Sequence, residues 1–328
     1  MAHLANDDDY AQTRTPAQGS APQAHTAHVA VIVLTRNGRE DTLGCIASLE
    51  QSVGTTLSVI VVDNASQDGT AEAVSARFPG VSVVRQDHNL GFAAGNNVGI
   101  RRALELGVDY VFLLNNDTTV APDAITCCVE SARRHPDIGA ACPIVYFADQ
   151  PKLIWYAGAI FDPRRAHSGR MVGYRELDHG QFTAGGPTDR VTGAAVLIPR
   201  QVFEEVGLLD SDLFFLYEDV DWSMRARRAG YRIYFVPEAK VWHRVSASAG
   251  GEHAPFSAYY DTRNHLIVCE RWAALAGLAA LRRALVILAV HLFGARRARR
   301  RFAYVHAVLR GWSDGRRGRS GRRTCASA

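Results

Sequence analysis

Tyr110-Val111-Phe112-Leu113-Leu114 is an unbroken apolar run that stops abruptly at Asn115-Asn116-Asp117. A run of this length and composition suits a strand covered on both faces, which requires layers above and below it. The chain must then turn outward at Asn115, which leaves Asp117 at the rim of a sheet. Open α/β sheets bind ligands beyond the carboxyl ends of their strands. A polar cluster there either holds a metal ion and the phosphates it carries or is simply a turn with a helix cap.

Other segments repeat the pattern. Val29 to Leu34 reads as a strand ending in Thr35-Arg36-Asn37-Gly38, and a helix follows over about 39–51. Ser58 to Val62 is a second strand, ending in Asp63-Asn64-Ala65-Ser66, and Gln67 to Thr70 opens the next helix. Val81 to Val84 is a third. Strand-helix-strand units build a parallel sheet with right-handed crossovers, so the chain is α/β with a mostly parallel central sheet flanked by helices. Residues 122–134 read as a helix, Ala194 to Ile198 as a strand, and Pro199 as the start of a helix through Val206. Residues 140–192 carry no regular pattern.

The loop Asn89-Leu90-Gly91-Phe92-Ala93-Ala94-Gly95-Asn96-Asn97 has two glycines, as a backbone close to a ligand or a tight turn demands. It is neither a dinucleotide fingerprint nor a P-loop. Leu213 to Tyr217 runs into Glu218-Asp219-Val220-Asp221-Trp222, placing three acids in four residues at a helix start. The helix macrodipole favours acids there, but the bulky apolar approach would bury some of them. His243 stands alone after a strand over 233–236, and a lone histidine is more often structural than functional.

Charge divides the chain. From Arg271 onward there are fourteen arginines and one acid, Asp314, an excess of +13, so the first 270 residues carry −9 within a whole-chain charge of +4. Residues 1–27 are polar and aperiodic and are expected to be disordered. Nothing near Met1 resembles a signal peptide, and the six cysteines have neither C-x-x-C nor zinc spacing. Reduced thiols in a cytoplasmic protein follow. The tail, residues 271–328, contains an uncharged apolar stretch from Ala284 to Ala295 that spans roughly 18 Å as a helix. That is too short for a bilayer core of about 30 Å. Followed by Arg296-Arg297-Ala298-Arg299-Arg300-Arg301, it reads as a helix on an anionic membrane surface or as one packed on the enzyme body. Nucleic acid is not expected as a partner, because aromatic interleaving is sparse.

Six segments, taken together and in order, resemble glycosyltransferase family 2, the inverting enzymes of the GT-A fold that use nucleotide-diphospho-sugars. They are V-I-V-L-T-R-N at 31–37, V-V-D-N-A-S at 61–66, N-L-G-F-A-A-G-N-N at 89–97, L-L-N-N-D at 113–117, G-A-A-V-L-I-P-R at 193–200 and F-L-Y-E-D-V-D-W at 215–222. Within the family the chain looks most like bacterial rhamnosyltransferase-type enzymes, which share E-D-x-D-W and the later Y-Y-x-x-R-N of residues 259–264. The resemblance implies a GT-A domain over residues 28–270. It also implies a UDP or dTDP donor and a glycan or lipid-linked acceptor.

The resemblance further implies roles. Asp63 would accept the pyrimidine N3–H, as an ionised carboxylate can. Thr35 would lie by the base or ribose, and Asn89, Gly91 and Asn96 would line the nucleotide cleft. Asp117 would bind Mg²⁺ or Mn²⁺. The family's first metal-site acid is here Asn115, which adds a hydrogen bond to a ribose or sugar hydroxyl but no charge. His243 falls where many such enzymes place a second metal ligand. Asp219 would be the general base. Glu218 and Asp221 would bind acceptor hydroxyls or cap the helix, and Trp222 would pack or serve as an acceptor platform. Arg263 would reach the diphosphate with its planar fork. Two other readings share this kind of sheet. One is a non-catalytic nucleotide-sugar or carbohydrate-binding protein. The other is a sugar-nucleotide pyrophosphorylase, for which Thr35 to Gly38 is a poor triphosphate loop.

Overall fold

The computed structural model describes residues 26–165, 169–245 and 254–323. The expected disorder of residues 1–27 therefore falls almost wholly outside the described residues, as does Cys325, one of the six cysteines.

Strands β1 (His28–Thr35), β2 (Thr56–Asp63), β3 (Ser82–Arg85) and β4 (Tyr110–Asn115) alternate with helices α1 (Arg39–Leu49), α2 (Thr70–Arg77) and α3 (Phe92–Glu105). Short β5 (Thr118–Val120) and helix α4 (Ala124–Arg134) follow. Val29 to Val33 and Val111 to Leu114 are buried, as continuous apolar strands between two helical layers should be. Gly99 lets α3 lie directly on β1, since a Cβ there would stand 2.5 Å from Ile32.

The stretch without a sequence pattern holds the centre of the second half. It forms β6 (Ile138–Phe147), β7 (Gln150–Tyr156), the small pair β8 (Ala159–Phe161) and β9 (Gly169–Met171), and β10 (Gly186–Thr188). Strand β6 is buried over nine consecutive residues, yet Gly139, Ala140, Ala141 and Pro143 give it little strand character. Beyond it lie β11 (Ala195–Pro199), α5 (Arg200–Val206), α6 (Glu218–Arg228) and β12 (Arg232–His243). The pairing of β6 with β12 slips between Val236 and Lys240, next to Pro143 and Pro237, where prolines cannot donate to the ladder.

The main sheet runs β10-β12-β6-β11-β4-β1-β2-β3, with β5 on β12 and β7 on β6. Strands β1 to β4 are mutually parallel, as are β6 and β12, but β11 is antiparallel to both its neighbours. The sheet is thus mixed at its centre.

Three helices complete the chain: α7 (Pro255–Trp272), α8 (Gly277–Phe293) and α9 (Arg301–Arg316). The expected boundary at residue 270 falls inside α7. Helix α9 packs along α7 so closely that a Cβ on Gly311 would stand 2.4 Å from Tyr259 O. The basic tail is therefore built onto the body.

Candidate active site

Register brings the strand ends together. Thr35 of β1 pairs with Asp63 of β2, and Leu34 with Asn115 of β4. The three polar ends form one edge. On the far side of β4, His243 at the end of β12 pairs with Thr118, the residue after Asp117. Its Nε2 lies 3.0 Å from Asp117 Oδ1 and 3.4 Å from Asn115 Nδ2. Both side chains of the Asp117–His243 pair are buried. The Trp155 ring meets His243 edge-on at 4.9 Å and fixes the plane of the imidazole.

This pair suits a divalent cation in part. An imidazole nitrogen and a carboxylate oxygen converge on one point, a donor set that Mn²⁺ or Mg²⁺ accepts. Among the described residues no third carboxylate, imidazole or thiol joins them. Diphosphate and water would supply the remaining donors. The other nitrogen of His243, Nδ1, is buried without a hydrogen-bond partner, so packing by Trp155 takes the orienting role that a second-shell acceptor often has.

Asp63 is buried with Oδ1 accepting from Ser66 N at 3.0 Å. Asn116 ties the strand end to the first helix, its Nδ2 donating to Thr42 Oγ1 at 3.2 Å. Beside this edge an open depression of about 350 Å³ is lined by Asn37, Arg39, Asp41, Asp68 and Arg244. Arg244 N donates to Asp117 O at 2.9 Å, and its guanidinium reaches Asp41 at 2.7 Å. Its only sequence signal is adjacency to His243.

Asp219 reaches the same edge from the opposite half of the sheet. Its Oδ2 accepts from Gly193 N at 3.2 Å, while the neighbouring Ala194 O accepts from Asn115 N at 2.9 Å. Only the Gly193–Ala194 step separates the contacts of the two acidic motifs. Arg190 lies 3.7 Å from Asp219 Oδ2. Glu218, next to it, is buried with Oε2 unpartnered, and burial, then the charge of Asp219, pushes its carboxyl well above the usual range. Asp219, held by Gly193 N and Arg190, is the acid of the pair that stands at the edge.

The loop that presents these acids is strained. Phe214, Leu216 and Tyr217 all have positive φ without being glycine. What holds them there is the Arg263–Asn264 pair of α7. Asn264 Nδ2 donates to Leu213 O, Phe215 O and Leu216 O at 2.8, 2.9 and 2.7 Å. Arg263 donates to Leu213 O at 3.0 Å, Gly321 O at 2.6 Å and Asn264 Oδ1 at 2.8 Å, and stacks over Tyr260. It is buried, its fork engaged by carbonyls, so the expected diphosphate contact of Arg263 is corrected to a positioning role. Asn264 closes the Y-Y-x-x-R-N pattern of residues 259–264, but its task as a donor to three carbonyls is visible only once the loop folds onto it.

The expected acceptor role of Asp221 is also corrected, and Trp222 takes the packing alternative. Asp221 is fully buried, bound by Arg225, Arg271 and Trp272 Nε1, and offers nothing to an acceptor. Trp222 is core, packed on Phe203 with Nε1 on Gly207 O. The polar side chains of the 89–97 loop are engaged within the fold. Asn89 Oδ1 accepts from Asn64 Nδ2 and Gly91 N, and buried Asn96 donates to Phe92 O. Gly91, at φ 86°, lies so close to Phe214 that a Cβ would stand 2.5 Å away. The loop thus buttresses the acid loop.

Residues 30–207 match the profile described as Glycosyl transferase family 2. The chain belongs to this family. The Mycobacterium tuberculosis N-acetylglucosaminyl-diphospho-decaprenol L-rhamnosyltransferase is 28% identical over 285 residues, covering 78% of this chain and 90% of its own. The Shigella flexneri dTDP-rhamnosyl transferase RfbF is 25% identical over 224 residues, covering 65% of this chain and 71% of its own. Among solved structures, the Pyrobaculum calidifontis mannosyltransferase PcManGT, in complex with GDP-Man and Mn²⁺, superposes with a TM-score of 0.56 at 19% identity. That likeness covers 90% of this chain and 78% of the other. GalNAc-T7 with UDP, GalNAc and Mn²⁺ gives 0.56 at 16% identity, over 81% of this chain and 54% of that one. The fold of this family 2 glycosyltransferase is accordingly GT-A.

Proposed function

We propose that this family 2 enzyme moves a sugar of the rhamnose class from a dTDP- or UDP-linked donor to a lipid-linked or glycan acceptor, with inversion. The observation that carries the reading is the convergence of two acidic motifs on one sheet edge: Asp117 with His243 on one side, Asp219 on the other, joined through Gly193 and Ala194. The names of the Mycobacterium and Shigella relatives support the sugar, and the former supports a lipid-linked acceptor. The five described cysteines form no disulfide, in keeping with the proposed cytoplasmic location.

Each group has a task. Asp63 accepts the base N3–H, and Thr35 lies beside it at the adjoining strand end. Asp219 takes the proton from the attacking acceptor hydroxyl as that oxygen bonds the anomeric carbon. The bond from that carbon to the phosphate oxygen breaks, and the nucleoside diphosphate leaves from the opposite face. Asp117 and His243 would hold a divalent cation, which supplies positive charge against the leaving diphosphate. Arg190, 3.7 Å from its Oδ2, orients Asp219. Burial, then the charge of Asp219, raises the Glu218 carboxyl well above its ordinary range, which favours its neutral form beside the base.

The test is transfer from a panel of radiolabelled donors, dTDP-rhamnose and UDP-sugars first, to a polyprenyl-diphosphate-linked acceptor, with the anomeric configuration of the product read by NMR. Release of label without transfer, or retained configuration, would overturn the reading.

A further inference from the structure

Helix α8 is apolar on two opposite faces. Its inner face, with Ala284, Ile287 and His291, is buried against α7 and α9, and Trp312 Nε1 donates to Ala284 O at 2.9 Å. The outer face carries Leu278, Leu281, Leu285, Val286, Val290 and Phe293, all exposed, Leu278 at 84% and Phe293 at 61%. An open trough of about 380 Å³ runs along this face. From Leu278 to Phe293 it extends roughly 22 Å. A contiguous apolar surface of this kind marks a place for a partner.

The chemistry of that partner is written at the end of the helix. Arg296, Arg297, Arg299, Arg300 and Arg301 are exposed, and none forms an ion pair among the described residues. The Arg296 guanidinium lies over the Phe293 ring at 4.3 Å. Phe302, 95% exposed, stands next to the cluster. Apolar side chains, exposed aromatics and unpaired cations on one border fit the acyl-to-phosphate boundary of an anionic bilayer.

We infer that the outer face of α8 lies in the interface of an anionic phospholipid membrane, with Phe293 and Phe302 inserted and Arg296 to Arg301 on the headgroup phosphates. By length and composition the segment Gly277–Arg296, with mean hydropathy 1.7, could instead cross a bilayer. Its bonds to the body oppose that. The buried Arg283 guanidinium is bound to Ala273 O and to Glu270 at 2.8 Å, and His291 Nε2 lies 3.1 Å from His265 Nδ1. Crossing would break these contacts and carry an arginine into hydrocarbon. The sequence left a choice between a packed helix and a membrane-surface helix. The structure has one face for each.

The same helix is tied to the acid loop. His265, which meets His291, stacks on Tyr217 with ring centroids 5.3 Å apart, and Tyr217 precedes Glu218 and Asp219. Docking through α8 therefore sets the orientation of the acids to the lipid surface. The lipid contact itself does not depend on the sugar-transfer reading.

The full chain should float with vesicles of phosphatidylcholine containing about one-third phosphatidylglycerol and stay in solution with phosphatidylcholine alone. Leu285→Glu with Val290→Glu should lower the bound fraction at least tenfold. Arg296→Gln, Arg297→Gln and Arg299→Gln together should weaken partitioning by about 100-fold. These side chains are exposed, so an unchanged thermal midpoint in each variant verifies folding. Three results would overturn the inference: no binding, or equal binding to both vesicles; retention in the membrane after an alkaline carbonate wash, which means a spanning helix; or a dimer in sedimentation that L285E dissolves, which means a second copy covers the face.

Discussion

Replacing Asn264 by Ala tests whether the α7 helix holds Asp219, the proposed base, in place. In the native loop one amide serves three carbonyls, those of Leu213, Phe215 and Leu216. After truncation Leu213 O keeps Arg263 Nη2 at 3.0 Å, but Phe215 O and Leu216 O lose their donor. A buried polar group left without a partner costs about 1–3 kcal/mol. Both carbonyls are partly buried, so the expected loss is about 2–4 kcal/mol, measured by urea unfolding. The effect on rate is separate. Phe214, Leu216 and Tyr217 are held at positive φ, each costing of order 1–3 kcal/mol, and they relax once released. A shift of about 1 Å in Asp219 should lower kcat by roughly 100-fold. Affinity for the nucleoside diphosphate, read by calorimetry, should not change, because Thr35 and Asp63 stand on other strands. If kcat stays within about threefold of wild type while stability drops, the amide supports the fold and not the acid, and the positioning argument is wrong.

Asp219→Asn should reduce transfer by about 10²–10⁴ with nucleotide affinity retained; unimpaired transfer would remove Asp219 as the base. Asp117→Asn, and separately His243→Ala, should weaken Mn²⁺ binding by about 10–100-fold in calorimetry, and an unchanged affinity in both would place the cation elsewhere. Glu218→Gln should stabilise the protein at neutral pH. Burial raises the folded-state carboxyl, so the native protein holds a proton that the unfolded chain releases above the ordinary glutamate pKa. Wild-type stability is thus full below that value and falls as pH rises toward the folded one. The two proteins should match near about pH 4 and separate in Tm at higher pH; parallel curves would mean that Glu218 is ionised in the folded state.

By itself the sequence determined the strands whose burial is written in composition. Val29 to Leu34 and Tyr110 to Leu114 are apolar without a break because both faces are covered, and each ends in the polar residues that reach the rim. Strand-end position is a local property, so Thr35, Asp63 and Asp117 could be picked out directly. The acid cluster at Glu218 to Asp221 was equally visible as a group. Its division of labour was not, because which acid stands at the edge and which is tied into the core depends on neighbours from distant segments: Arg190 and Gly193 at Asp219, Arg271 and Trp272 at Asp221.

Tertiary structure alone decided the rest. Strand β6 hid in small residues and a proline, since burial there comes from its place between β11 and β12 and not from side-chain character. Arg263 carries the same guanidinium whether it meets phosphate or carbonyl; only the fold of 212–217 onto α7 assigned it to carbonyls. The two faces of α8 read alike as apolar residues at helical spacing. Which one is covered is set by α7 and α9, because burial is a relation between segments and periodicity records only that a face exists.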